Sequence, residues 1–69
     1  MPLALARPGE KNSIKRIGGR DDTKKRLETL GFVVGSPVTV VSEINGNVIV
    51  NVKDSRIAIS REMANKIIV

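Results

Sequence analysis

Apolar residues fall along this chain in short clusters separated by glycine and proline, not in one long run. Leu3 and Leu5 precede a turn signal at Pro8-Gly9. Lys11 to Ile17 then reads as a strand with Ile14 and Ile17 as its apolar members, and Gly18-Gly19 ends it. The next segment has helical spacing. Thr23, Leu27 and Leu30 recur at i, i+4 and i+7, so they share one face, expected to point at the core. Asp21 or Asp22 is placed to cap the helix start, where a short carboxylate accepts from free N–H groups and meets the positive end of the dipole. Gly31 stands where a left-handed C-terminal cap is needed. A helix of about nine residues is unstable alone in water, so packing must hold it.

From the turn at Gly35-Ser36-Pro37 the pattern changes to β. Val38, Val40 and Val41 lead into Ser42-Glu43-Ile44, Asn45-Gly46 is a hairpin signal, and Val48, Ile49, Val50 and Val52 return. A two-residue loop at Asn45-Gly46 would set Val40 opposite Asn51 and send the valines of the two strands to opposite faces. A three-residue loop sets Val40 opposite Val50 and Val38 opposite Val52, which gathers the apolar side chains on one face. The second register is therefore expected, with Gly46 at the left-handed position of a bulge. After a turn at Lys53-Asp54-Ser55, Arg56 to Ile59 forms a strand with Ile57 and Ile59 inward. Ser60 caps a helical turn from Arg61 to Asn65 with Ala64 inward, and Ile67 to Val69 closes as a last strand. The prediction is a mostly β fold: five short strands closing into a small barrel, with one inserted α-helix and a short helical turn before the last strand.

Length confines this to one small domain, residues 1–69. A chain of this size buries only about 60% of its unfolded surface, so its stability is expected to be marginal and self-association is one way to add to it. The chain has no Cys and no His. Disulfides, thiolate metal sites and thiol catalysis are thereby excluded, together with the commonest metal ligand and neutral-pH acid–base group. No catalytic, cofactor or metal residues are assigned. Met1 to Ala6 is too short for a signal-peptide core, and no apolar run is long enough to span a bilayer, so the expected compartment is the cytoplasm.

Charge narrows the partners. Twelve Lys and Arg against seven Asp and Glu give +5, and the excess is uneven: residues 1–34 carry eight basic and four acidic side chains, the remainder four and three. Such a field favours an anionic partner. Phe32 is the sole aromatic, so no base-stacking platform can be built and nucleic acid is disfavoured. Gly18-Gly19 before a helix lacks the rest of any nucleotide motif, and Asp21 and Asp22 would repel phosphate there. The same two carboxylates diverge as neighbours and have no third in sequence reach, which argues for a helix cap over a cation site. The strongest local features are the cations Arg20, Lys24, Lys25 and Arg26, read as a docking patch or a solvated face. A surplus of aliphatic positions accompanies them: Leu3, Leu5, Val33, Val34, Ile49 and Ile68 exceed what an alternating core needs.

Taken in order, these segments resemble one family. Pro8-Gly9-Glu10 precedes Ile14-x-x-Ile17-Gly18-Gly19; Arg26-Leu27-x-x-Leu30-Gly31-Phe32 precedes Gly35-x-x-Val38-x-Val40; and Arg56-Ile57-Ala58-Ile59 precedes Ala64-x-x-Ile67-x-Val69. This order is similar to the FeoA family of ferrous iron transport proteins, departing at Val34, where many relatives have Pro. The resemblance implies an SH3-like barrel. It also implies a cytosolic accessory protein that regulates the FeoB permease by contact, with the permease's GTP-binding domain a candidate contact and transition-metal binding a family-level property. Arg20, Lys24, Lys25, Arg26, Leu30, Val33 and Val34 are the candidate partner-binding residues. A small basic barrel that binds nucleic acid is the alternative.

Overall fold

The computed structural model describes residues 1–69. In chain order it has a 3-10 turn at Leu3–Leu5, strands β1 (Lys11–Ser13) and β2 (Arg16–Ile17), helix α1 (Asp21–Leu30), strands β3 (Pro37–Ile44), β4 (Asn47–Val52) and β5 (Ser55–Ser60), helix α2 (Arg61–Ala64) and strand β6 (Ile67–Ile68). The strands form two antiparallel sheets, one of order β1-β3-β4-β5 and one pairing β2 with β6. The fold is mostly β, as expected, with six strands instead of five.

The extra strand arises because the segment 11–17 changes sheets midway. Lys11 to Ser13 pair with β3, whereas Arg16 and Ile17 pair with β6. Ile14 is the pivot. Its side chain is fully buried, its N–H donates to the Ser36 carbonyl at 3.0 Å, and its carbonyl accepts from Gly35 N–H at 2.7 Å. One residue later, Lys15 N–H already donates to the Ile68 carbonyl at 2.7 Å. The poor apolar alternation of this segment thus reflects a chain that serves two sheets.

In the β3–β4 hairpin, Val38 faces Val52 and Val40 faces Val50, the expected register. The means differ. The loop is the two-residue Asn45-Gly46 turn, both residues at positive φ, and the extra residue is a bulge at Val41 within β3. A bulge reverses which alternate residues point inward. Val38 and Val40 therefore face the core before it, while beyond it Glu43 lies opposite the buried Val48, and Ile44, opposite Asn47, turns out to solvent. Glu43 is thereby directed to α2, where its Oε1 accepts from Arg61 Nη1 at 2.8 Å, the one ion pair in the structure.

Fourteen buried residues, all apolar, form one core in which Val38, Val40, Val48, Val50, Val52 and Ile59 of the larger sheet meet Leu3, Ile14, Leu27, Phe32, Ala64 and Ile67. Each buried aliphatic side chain contributes on the order of 1.5–3 kcal/mol. Ser60 caps α2 as expected, its Oγ accepting from Met63 N–H at 3.2 Å, with Ala64 fully buried.

Candidate functional site

Helix α1 presents three consecutive cations, Lys24, Lys25 and Arg26, all exposed. Successive helical residues point about 100° apart, so they cannot form one face. The structure separates them accordingly. Arg26 joins Arg20 and Thr23 along a cleft of about 270 Å³ between α1 and the α2–β6 segment, completed by Ser60, Glu62, Met63 and Lys66. Lys24 and Lys25 do not line it. The cleft thus gathers cations from three places: the residue before α1, its second turn, and the loop after α2.

The β2–β6 pairing holds this assembly together. Gly18 N–H donates to the Lys66 carbonyl at 2.7 Å, fixing the Lys66 backbone beside the two glycines. Gly19 lies at φ +97°, and a Cβ there would come within 3.0 Å of Lys66 Cδ. A side chain at Gly19 would therefore push the lysine stem aside by a few tenths of an ångström, besides straining the positive-φ backbone. Neither Lys66 nor the α2 residues carry a local sequence signal for a site; the long-range pairing of β2 with β6 brings them to Arg20.

The helix start differs from expectation. Arg20 occupies the cap position and makes no side-chain cap bond, while Asp21 and Asp22 lie inside the first turn. Their carboxylates complement the dipole without capping. The predicted inward stripe narrows to Leu27, which is fully buried; Thr23 is half-buried and Leu30 is 37% exposed. The cause is the helix end. Gly31 N–H donates to the Glu28 carbonyl and Phe32 N–H to the Leu27 carbonyl, both at 2.9 Å. This 5→2 and 6→1 pair, with Leu27 and Phe32 both buried, turns the chain sharply inward through Phe32 and leaves Leu30 at the rim. Beyond the turn Val33 is half-buried and Val34 is 66% exposed. Of the other surplus aliphatics, Leu3 is core, Leu5 is exposed, and Ile49 and Ile68 are half-buried.

A larger depression of about 490 Å³ lies against the outward row of the sheet, lined by Lys11, Pro37, Thr39, Asn51, Lys53 and Asp54, and its charged groups are two lysines and one carboxylate. No three His, Cys, Asp or Glu side chains come together anywhere. The residues present do not fit a resident transition-metal ion, because thiolate and imidazole ligands are missing and no three carboxylates come together.

A family model described as the FeoA domain matches residues 1–69. A candidate Fe(2+) transport protein A of Methanocaldococcus jannaschii is 41% identical over 68 residues, covering 99% of this chain and 83% of the relative. The crystal structure of an iron uptake regulatory protein, FeoA, superimposes with a TM-score of 0.89 at 25% identity, covering 97% of this chain and 91% of that one. Stenotrophomonas maltophilia FeoA, crystallised with zinc and described as a prokaryotic SH3 domain protein, gives a TM-score of 0.85 at 23% identity over 99% of this chain and 87% of its own. The architecture is SH3-like. No helix is long and apolar enough to cross a membrane.

Proposed function

The chain belongs to the FeoA family, and we propose that it is a cytoplasmic accessory protein of ferrous iron uptake that regulates a FeoB-type permease by direct contact. The observation that carries this reading is a family match running over residues 1–69, with a 41% identical relative named for Fe(2+) transport. In this reading residues 1–69 act as one domain, the permease carries the ion, and this chain contributes a surface. That surface is the C-terminal end of α1 and its exit loop, where Leu30 and Val34 are exposed beside the half-buried Val33. Exposed aliphatic side chains rimmed by charge are what a transient protein interface uses. Lys24 and Lys25, on the outer side of the same helix, steer an acidic partner towards it.

The test is a calorimetric titration of the chain into the soluble GTP-binding domain of its own organism's permease, once with GDP and once with a non-hydrolysable GTP analogue. Saturable binding that differs between nucleotides is expected, since a regulator shifts a switch only through differential affinity. Val34→Asp, which places a charge on an already exposed position, is expected to weaken it by about tenfold, the loss typical of one interface anchor. Absence of binding in both nucleotide states would refute contact at that domain.

A further inference from the structure

We propose that the cleft between α1 and the α2–β6 segment receives a carboxylate side chain from an acidic segment of a partner protein. The proposal rests on the protein-contact reading and specifies the chemistry of a second contact point. Arg20, Arg26 and Lys66 converge on about 270 Å³, and none of them has an ionic partner within the chain, whose one ion pair is Arg61 with Glu43. Three like charges face only the one carboxylate of Glu62 within the cleft, so they repel one another in excess of that attraction, and an incoming anion relieves the excess. Two of the three are guanidinium groups, whose planar forks match a carboxylate in a two-bond geometry. The Lys66 stem lies against Gly19, so part of its ordering precedes binding.

The surroundings select among anions. Glu62 lines the cleft itself, and Asp21 and Asp22 follow Arg20 directly in the first turn of α1. A nucleic-acid strand tracking across this surface would bring further phosphates against those carboxylates. One or two carboxylates on a flexible peptide fit the three cations and avoid the flanking acids.

The experiment is a nuclear magnetic resonance titration of the isotope-labelled full chain with a capped tetraglutamate peptide. Saturable amide shifts are expected at Gly19, Arg20, Thr23 and Lys66. Two variants with the same change in net charge separate site from field: Arg20→Glu/Arg26→Glu is expected to weaken binding by about tenfold or more, and Lys24→Glu/Lys25→Glu by no more than about threefold. Lys66→Met keeps the stem over Gly19 and removes the ammonium, and is expected to weaken binding several-fold with the amide spectrum otherwise intact. Equal losses in the two doubly reversed variants would overturn the proposal, leaving only long-range charge. Tighter binding of inorganic phosphate than of the peptide at the same amides would overturn it in favour of a small-anion site. Displacement of the peptide by an oligothymidylate of higher affinity would overturn it in favour of nucleic acid. The two readings fail separately. If the permease domain binds the native chain and Arg20→Glu/Arg26→Glu equally, the cleft proposal falls alone; if the cleft takes the peptide while the permease domain does not bind, the permease reading falls alone.

Discussion

Gly31 shows how one residue shapes the candidate surface. It sits at φ +108°, ends α1, and sends Phe32 into the core while Leu30 stays at the rim. A Cβ at Gly31 would meet the Lys53 stem at 3.5 to 3.8 Å, ordinary contact distances, so space is not the constraint. The backbone conformation is. Left-handed geometry costs an L-residue roughly 1–2 kcal/mol, and asparagine bears it better than alanine. Gly31→Ala is therefore expected to lower stability by about that amount and Gly31→Asn by distinctly less, read as midpoints of urea denaturation at unchanged slope. Equal loss in both variants would show that contact with Lys53, not φ, sets the cost.

Helix α1 is held less firmly than the strands it packs on. Leu27 is its one buried side chain, with Phe32 just beyond its end, whereas β3 and β4 contribute five buried valines to the same core. Helices this short are unstable without packing, so α1 is expected to open locally before the molecule unfolds. Native-state hydrogen exchange checks this: amides of residues 25–30 should exchange well before those of Val40 and Val50, and equal protection would mean that helix and sheet open as one unit. The same contrast explains what could be read from the chain. The helix, the Val38–Val52 register and the Ser60 cap follow from local spacing and were legible. The sheet change at Ile14 and the convergence of Lys66 on Arg20 depend on partners far along the chain, and the bulge at Val41 is one of two ways the hairpin reaches the same valine pairing. Periodicity within one segment carries no trace of them. The candidate residues on α1 were visible as a list; their division into a cleft pair and an outer pair appeared only with the neighbours in place.

The whole molecule carries +5 on a body 28 × 24 × 22 Å across, with one ion pair to set against the excess. That pair is about half exposed, and such a contact is worth about 1 kcal/mol or less. At an ionic strength of ~0.01 M the screening length is ~30 Å, as long as the molecule, so every excess cation repels every other; at ~0.15 M it falls to ~8 Å and only neighbours interact. Salt therefore removes more repulsion than attraction. The thermal midpoint is expected to rise between these two conditions, by about 4–8 °C for each kcal/mol gained in a domain of this size. A midpoint that falls would mean that specific attractions, Arg61 with Glu43 and the first-turn aspartates with the helix dipole, outweigh the net charge. Binding should respond in the opposite sense, because screening weakens attraction between this basic surface and an acidic partner. A chain that gains stability and loses affinity over the same salt range carries an excess of cations whose charge opposes folding and favours an acidic partner.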